Sequence, residues 1–321
     1  MKSVFITGAN GLLGTNLTHA LIDGGFNVYA LIRKENSYKG KRSGNLKLIT
    51  MDLWGDYSYL LKKTEIVVHM AADSSTNKIN YSDYETINYK ATKRLFDLAK
   101  ANGVKRFIYI STANTIGYGD LKNPGTENSP VTGPFNQLFY AQSKIKAERY
   151  LLRNRKGIDL RILNPTFMIG PFDSKPSSGI IVKMTLGKRW VFYPPGGKNF
   201  VPVKDVVQAI INSFESGKSG EKYLIAGENL SYKAFFKRLR KISGEKQIHF
   251  QLSKTLLFFF GYLGDIMRSS GIKTSLSSVN AEILCIKNFY CNQKSITELG
   301  MNYSSLNIAI KEAVDYFERG K

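Results

Sequence analysis

The segment Val4-Phe5-Ile6-Thr7-Gly8-Ala9-Asn10-Gly11-Leu12-Leu13-Gly14 decides the fold of this chain. Three apolar residues precede a turn with glycine at every third position, and apolar residues then recur at helical spacing. The pattern predicts a strand, a tight turn and a helix whose N-terminus can bind a phosphate. Gly8 permits the turn, Gly11 lets phosphates approach the backbone, and Gly14 lets the helix pack on the strand. An ordinary glycine-rich loop is the alternative.

A second strand, residues 27–32, completes a strand–helix–strand unit, and the residues after it bear on the choice of cofactor. Dinucleotide folds that bind NAD usually place an acidic residue here, against the ribose 2′-hydroxyl. This chain has Arg33 and Lys34, followed by Lys39, Lys41 and Arg42. A basic cluster favours the 2′-phosphate of NADP, with NAD as the alternative cofactor. A solvated basic loop is also open.

Strand and helix patterns alternate through the first half of the chain. Further strands are predicted at 46–51, 66–70, 106–110 and 160–163, with a helix over 84–102 and another from 139 to about 152. The last strand is expected to break at Asn164-Pro165, because proline cannot continue an inner strand. The fold class is therefore α/β, a Rossmann-type doubly wound parallel sheet with a smaller C-terminal substrate-binding lobe.

A length of 321 residues is more than one core usually fills, so we expect two parts. Residues 1–170 plus 199–226 are predicted to form the dinucleotide-binding domain, and residues 171–198 plus 227–321 the substrate-binding lobe.

Tyr140 and Lys144 stand four positions apart on the predicted helix, so both side chains point from one helix face. An ammonium beside a phenol favours the phenolate, which suits proton exchange with a carbonyl or an alcohol. Ser111 and Thr112 directly follow the 106–110 strand, where ligands bind in open parallel sheets. His69 ends another strand without a nearby carboxylate and is predicted to be structural.

Composition excludes several functions. The net charge of +21 is scattered, and its densest runs lack interleaved aromatic residues, so no specific nucleic-acid binding is expected. Cys285 and Cys291 lack ligand-type neighbours, which argues against a disulfide framework and a metal site. No apolar stretch is long enough to span a bilayer, and the N-terminal apolar run is too short for a signal peptide, so a cytoplasmic protein is expected.

The order of these motifs resembles the extended short-chain dehydrogenase/reductase superfamily, which includes the epimerases and dehydratases. The matching stretches are Thr7-Gly8-x-x-Gly11-x-x-Gly14, His69-Met70-Ala71-Ala72, Asn88 to Thr92, Ser111-Thr112-Ala113, Tyr140-x-x-x-Lys144 and Pro165-x-x-x-x-Gly170-Pro171. The resemblance covers nearly the whole chain. It is closest in motif to the dihydroflavonol-reductase and hydroxysteroid-dehydrogenase branch.

This resemblance implies hydride transfer to or from a nicotinamide, with Tyr140 as proton donor or acceptor. Lys144 would bind the nicotinamide ribose and lower the pKa of Tyr140. Thr112 would orient the substrate carbonyl, with Ser111 as the fallback. The implied cofactor-binding residues are Thr7, Gly8, Asn10, Gly11, Leu12, Gly14, Arg33, Asp52, Leu53, Met70, Ala71, Ala72, Asn88, Tyr140, Lys144, Pro165 and Phe167. Many relatives pair through the helix bearing the Tyr-Lys pair, so a homodimer is expected.

Two departures point away from a nucleotide sugar as substrate. Sugar-nucleotide epimerases commonly have Phe-Asn where this chain has Asn164-Pro165, and Arg-Asp where it has Lys198-Asn199. Aromatic residues near the catalytic motifs predict an apolar pocket instead: Phe135, Phe139, Phe167, Trp190, Phe192 and Tyr193. We therefore expect a small apolar ketone, aldehyde or alcohol as substrate. An NAD-dependent epimerase or dehydratase, or a non-catalytic dinucleotide-binding sensor or assembly factor, is the alternative.

The segment Leu252 to Met267 is the most apolar part of the second half of the chain. It is about half the length needed to cross a membrane. A buried or groove-forming helix is expected. Because Lys254 and Arg268 flank the segment, a peripheral contact with anionic membrane is the alternative.

Overall fold

The structure, a computed structural model, describes residues 2–174 and 177–319. The strands are β1 (Ser3–Thr7), β2 (Asn27–Ile32), β3 (Leu46–Thr50), β4 (Ile66–His69), β5 (Arg106–Ile110), β6 (Asp159–Pro165), β7 (Phe167–Ile169), β8 (Trp190–Tyr193), β9 (Gly197–Pro202), β10 (Glu221–Ile225), β11 (Glu228–Ser231), β12 (Ile248–Gln251) and β13 (Lys287–Asn288). The helices are α1 (Leu12–Asp23), α2 (Ser58–Leu61), α3 (Tyr81–Glu85), α4 (Thr92–Ala101), α5 (Phe139–Asn154), α6 (Ile180–Lys183), α7 (Val203–Asn212), α8 (Tyr232–Ser243), α9 (Lys254–Ser269), α10 (Ser278–Cys285), α11 (Gln293–Leu299) and α12 (Leu306–Arg319).

A seven-stranded parallel sheet forms the centre, in the order β10-β6-β5-β4-β1-β2-β3. Its inner strands are apolar and buried on both sides, as in other parallel sheets, whereas the edge strand β3 is partly exposed. Helices α1 and α7 cover one face, and α4 and α5 cover the other. The strand order reverses between β1 and β4, so ligands are expected at the carboxyl ends of these strands. The predicted doubly wound α/β fold is confirmed.

Strand β6 differs from its predicted course, because it continues through Pro165 rather than breaking before it. Its pairing with β5 ends at Leu163, where the Ser111 amide donates to the Leu163 carbonyl at 2.8 Å. Beyond that point only β10 pairs with β6, and Pro165 lies opposite Ile225. The missing amide hydrogen of Pro165 therefore removes no bond to β5.

The second part of the molecule has its own sheets and core. Strand β9 pairs with β7, β11 and β13, and β8 pairs with β12. Phe200 stacks on Phe235 at 4.3 Å within the core that α8 and α12 help to build. The predicted boundary at residue 199 therefore cuts through β9. The two-part division stays our proposal, with β7 and β9 assigned to the C-terminal part.

The helical region before β5 is interrupted, whereas the sequence predicts one helix over residues 84–102. A π-helical turn, Thr86–Ala91, separates α3 from α4. Such turns often occur at functional sites, and this one carries Asn88. No helix in the described ranges is long and apolar enough to cross a membrane.

Candidate active site

The glycine turn after β1 has the geometry of a phosphate-binding site. Gly8 has φ of 76°, and its carbonyl accepts from the Gly11 amide at 3.2 Å. A Cβ on Gly14 would lie 2.1 Å from the Gly8 oxygen, so only glycine fits there. Helix α1 begins at Leu12, and no side chain caps its N-terminus. The free amide groups of this first turn fit the pyrophosphate of a dinucleotide.

A buried hydrogen-bond chain joins this turn to the loop after β4. Thr7 Oγ1 accepts from the Met70 and Ala71 amides, both at 3.2 Å, so its own hydroxyl donates to His69 Nδ1 at 2.7 Å. On the other side, His69 Nε2 lies 2.8 Å from the Thr92 hydroxyl. Burial lowers the pKa of His69 to about 3, so the ring is neutral. His69 is therefore structural and links Thr7 at the end of β1 to Thr92 of α4.

Tyr140 lies in the first turn of α5 and faces the Thr112 hydroxyl. Burial raises the pKa of Tyr140 to about 12, Thr112 opposes this shift, and the negative charge of Asp73 adds to it. The sequence predicts a lowered pKa, and for this structure that expectation is wrong. Burial sets the direction of the shift, and the Lys144 ammonium does not oppose it because it is directed toward the Ile110 carbonyl.

Lys144 is buried, with 1% of its surface exposed. Its ammonium donates to the Ile110 carbonyl at 2.8 Å and lies 4.6 Å from the centre of the Tyr109 ring. Burial lowers the pKa of Lys144 to about 7, and Glu148 acts in the opposite direction. The ammonium is thus anchored at the end of β5, two residues before Thr112 in the chain.

The structure separates the two candidate hydroxyls. The Ser111 hydroxyl is buried and donates to Glu148 Oε1. Thr112 is only partly buried, and its hydroxyl oxygen accepts a long bond, 3.3 Å, from the Asn114 amide. The same hydroxyl faces Tyr140. The geometry favours Thr112 over Ser111 as the substrate-orienting group.

Glu148 is a central residue that the sequence reasoning missed. Its Oε1 accepts from Ser111, from Thr115 at 2.7 Å and from Asn164 at 2.9 Å. Its Oε2 forms an ion pair with Lys222 of β10. Glu148 therefore ties α5 to the ends of β5, β6 and β10. The spacing 140, 144 and 148 places three functional side chains on one helix face and could have revealed it.

Asn88 has a different role from the predicted one. Its side chain accepts from the Asp73 amide at 2.7 Å and donates to the Asp73 carbonyl and to the Ser143 hydroxyl, both at 3.0 Å. It is fully buried, so no group is left for direct contact with a cofactor. Asn88 instead fixes the loop that carries Asp73 against α5.

A family model described as the NAD dependent epimerase/dehydratase family matches residues 4–226. The chain belongs to this family. It is an NAD(P)-dependent enzyme of the extended short-chain dehydrogenase/reductase type, as its motifs predict.

Two curated relatives match almost the whole chain. A putative dihydroflavonol 4-reductase of Synechocystis sp. is 27% identical, over 98% of this chain and 94% of the relative. Sterol demethylase protein B of Methylococcus capsulatus is 28% identical, over 99% of both chains. Among solved structures, gox2253 has a TM-score of 0.82 and 26% identity, covering 100% of this chain and 99% of its own. UDP-glucuronic acid 4-epimerase of Bacillus cereus has a TM-score of 0.80 at 20% identity, over 99% and 100%, which shows the shared fold.

The remaining predicted cofactor residues of this family member follow the strand ends. Asp52 and Leu53 come after β3, Met70, Ala71 and Ala72 after β4, and Asn10 lies in the glycine turn, while Pro165 ends β6 and Phe167 begins β7. A Cβ on Gly8 would lie 2.9 Å from the Ala71 amide nitrogen, so the two loops touch. Arg33 is exposed at the end of β2 and makes no ion pair within the described ranges. The carboxyl edge of the sheet therefore carries all of these positions.

The predicted aromatic pocket is only partly present. Phe135 and Tyr193 are buried in the core, whereas Phe139 and Phe167 are half-buried near the site. Trp190 and Phe192 are each 53% exposed on β8. Alternation along β8 buries Val191 and Tyr193 and turns Trp190 and Phe192 outward, so assigning them to the pocket was wrong.

Proposed function

We propose that this enzyme is an NADP-dependent oxidoreductase that reduces the ketone or aldehyde of a small apolar substrate, or oxidises the corresponding alcohol. The observation that carries the proposal is the placement of Tyr140 against the Thr112 hydroxyl at the carboxyl edge of the sheet, with Lys144 on the same helix face. Two hydroxyls can thus bind one carbonyl oxygen. The nicotinamide supplies the hydride when the cofactor is bound.

The protonation of the site suits reduction. With its pKa raised to about 12, Tyr140 is a neutral phenol near pH 7 and can donate its proton to the forming alkoxide. The Thr112 hydroxyl orients the carbonyl oxygen. Lys144 donates to the Ile110 carbonyl at the end of β5, two residues before Thr112, and Glu148 favours its charged form.

The preference for NADP is supported by the residues after β2. Arg33 and Lys34 are exposed and have no carboxylate partner among the described residues, whereas Lys41 already pairs with Asp23. A 2′-phosphate would meet two free cations. Arg33→Ser is expected to weaken NADPH binding by about 10- to 100-fold and to leave NADH binding unchanged. Lys237→Ser, which removes an exposed cation on α8 outside this cluster, serves as the matched control, and a wild-type preference for NADH would contradict the assignment.

The proposed reaction is tested by a carbonyl screen with NADPH, followed at the reduced nicotinamide absorbance band. Apolar ketones and aldehydes are expected to be reduced, and the rate should depend on Tyr140. The similarity to a dihydroflavonol reductase and to a sterol-modifying protein supports an apolar substrate class. A preference for nucleotide sugars in the same screen would overturn this choice.

One observation favours the alternative of an NAD-dependent epimerase or dehydratase. Lys198 lies 5.5 Å from the centre of the Phe167 ring, and burial lowers its pKa to about 8. No carboxylate pairs with it in the described part of the chain, so it could bind an anionic group such as the diphosphate of a nucleotide sugar. Turnover of a nucleotide sugar at constant nicotinamide absorbance, lost in Lys198→Met, would support this alternative. A non-catalytic sensor or assembly factor gains support only if Tyr140→Phe leaves cellular function intact.

Homodimer formation, a cytoplasmic location and peripheral contact with anionic membrane are further proposals. The outer side of α5 borders two hollows of ≈ 350 and ≈ 430 Å³ that share Asn136, Ile145 and Arg149. A second copy could cover this side, and light scattering of the purified chain measures that directly. The membrane contact is supported by the apolar surface of α9.

A further inference from the structure

Helix α9 presents its large apolar side chains to solvent. The only residues that it buries are Gly261 and Gly264. Eight apolar side chains between 37% and 63% exposed follow its length, namely Leu256, Phe258, Phe259, Phe260, Tyr262, Leu263, Ile266 and Met267. A buried helix, one form of the expectation for this segment, is therefore wrong, while a groove-forming helix and the alternative of a peripheral membrane contact stay open. A patch of this size on a water-soluble surface indicates an interaction site.

The packing of α9 fixes this orientation. A Cβ on Gly264 would lie 2.3 Å from the Leu276 carbonyl oxygen, and one on Gly261 would lie 2.9 Å from the Ser277 oxygen. The helix thus approaches the segment before α10 too closely for any larger residue. Its small residues face the protein, and its large residues must face away.

The exposed side of α9 carries no charge. At 3.6 residues per turn, the eight apolar side chains spread over about 200° of the helix circumference. The only carboxylate of α9, Asp265, accepts from the Ser278 amide at 3.1 Å and lies toward α10. Lys254 and Arg268 stand at the two ends. An uncharged apolar face with basic ends is typical of helices that lie in a membrane interface.

A second apolar face precedes α9 directly in the chain. On the β8–β12 sheet, Trp190, Phe192, Ile248 and Phe250 are between 40% and 53% exposed. Phe250 stacks with Trp190 at 5.4 Å and with Phe192 at 5.7 Å. Only Leu252 and Ser253 separate β12 from α9. Neither strand contains a charged residue, and Arg189 lies just before Trp190.

We propose that the exposed side of α9 and the outer face of the β8–β12 sheet dock together on the surface of an anionic bilayer. This inference deepens the membrane contact proposed above and does not depend on the reduction chemistry. The charge of the chain favours lipid as the occupant, because acidic headgroups attract a chain of net charge +21 and because Arg189 and Lys254 border the two apolar faces.

Docking of α9 would bring the site close to the lipid. The Arg268 guanidinium donates to the Lys78 carbonyl at 2.8 Å, in the loop between β4 and α3 that also carries Asp73. Asp73 in turn acts on Tyr140. The end of α9 is therefore attached to the loop that carries Asp73.

Flotation with vesicles tests the docking of α9. The wild-type chain is expected to float with mixed phosphatidylcholine–phosphatidylglycerol vesicles at low salt, and less with phosphatidylcholine alone. The double variant Phe259→Ser/Tyr262→Ser should lower the vesicle partition coefficient by about tenfold or more. Leu121→Ser, which removes an equally exposed apolar side chain elsewhere, is the matched control and should float like the wild type. Failure of the wild type to float would overturn the proposal.

Tryptophan quenching tests the contribution of the sheet. The chain has two tryptophans, so Trp54→Phe leaves Trp190 as the only one and Trp190→Phe leaves Trp54. Brominated lipids in the same vesicles should quench Trp190 and not Trp54. Flotation without quenching of Trp190 would refute the role of the β8–β12 face.

Two parallel measurements separate the other outcomes. Light scattering shows whether the α9 variant changes the oligomeric state. If the wild type does not bind vesicles but forms a dimer that the α9 variant cannot form, the surface belongs to a second copy. Titration with NADPH should give the same affinity in the α9 variant as in the wild type. If the wild type binds NADPH but does not bind vesicles, the docking surface is refuted and the proposed reaction is not affected.

Discussion

Helices α5 and α9 each contain 16 residues, and both depart from the usual rule that apolar side chains are buried and charged ones exposed. Helix α5 buries Lys144 and Glu148, whereas α9 exposes eight large apolar residues and buries two glycines. Both departures lie where we place a function, the first at the catalytic site and the second at a docking surface. In both helices, the residues with unusual burial are therefore the ones that indicate a function.

The two helices differ in how the unusual placement is compensated. The carboxylate of Glu148 receives three hydrogen bonds and pairs with Lys222, and Lys144 donates to a backbone carbonyl. These contacts offset the loss of hydration on burial. The exposed side chains of α9 have no such partner among the described residues. We attribute this exposure to the proposed contact with a bilayer.

The largest effect is expected from the catalytic side of α5. Tyr140→Phe removes the proton donor and should lower kcat for carbonyl reduction by about 10²- to 10⁴-fold. NADPH affinity should change little, since the glycine turn and Arg33 are untouched. Steady-state kinetics with the best carbonyl substrate of the screen measures kcat, and fluorescence titration measures NADPH affinity. An unchanged kcat would remove Tyr140 from the mechanism.

Loss of an unusual residue should lower the stability of the protein strongly in α5 and hardly at all in α9. Glu148→Ala leaves Lys222 and three donors without their acceptor and is expected to cost about 3–5 kcal/mol of unfolding free energy. Phe259→Ser on the exposed side of α9 should change it by less than about 0.5 kcal/mol. Urea unfolding of both variants without lipid measures the difference. Equal losses would show that α9 packs on the body of the protein after all.

Much of the first half of the fold was predictable from the sequence. Strands β2 and β5 have the predicted bounds, and the glycine turn lies between β1 and α1, because strong apolar runs and glycine spacing act locally. Pro165 was placed outside its strand because the point where β6 stops pairing with β5, at Leu163, depends on tertiary structure. Glu148 was missed because its partners, Ser111, Asn164 and Lys222, are far apart in sequence. The orientation of α9 depends on the contact of Gly264 with Leu276, which no periodicity reveals.

The two hydroxyls after β5 provide a finer test within the catalytic region. Thr112→Val removes the group that faces Tyr140 and should lower kcat/KM by about 10- to 100-fold with little loss of stability. Ser111→Ala removes one donor to the buried Glu148 and should cost about 1–3 kcal/mol of stability, with a smaller effect on kcat/KM. Kinetics and urea unfolding of both variants decide. The reverse pattern would assign the catalytic hydroxyl to Ser111.

The smallest effect is a pH dependence of stability from Lys144. Its folded-state pKa of about 7 lies below the unfolded value of about 10.4, so the unfolded chain binds more protons between these values. The burial penalty is fully present below pH 7 and is relieved as pH rises. The stability of the wild type relative to Lys144→Met should therefore increase from pH 7 to 9, by at most about 1.4 kcal/mol per pH unit. A constant difference in urea unfolding across this range would show that Lys144 stays charged.

The central claim is that Tyr140 and its partners carry out net reduction of a carbonyl with NADPH. The most direct test follows nicotinamide absorbance and product together during turnover of the substrate found in the screen. We predict the loss of one NADPH for each alcohol formed, abolished in Tyr140→Phe. Conversion of substrate at constant nicotinamide absorbance would contradict the claim and assign the chain to the epimerase or dehydratase chemistry of its family.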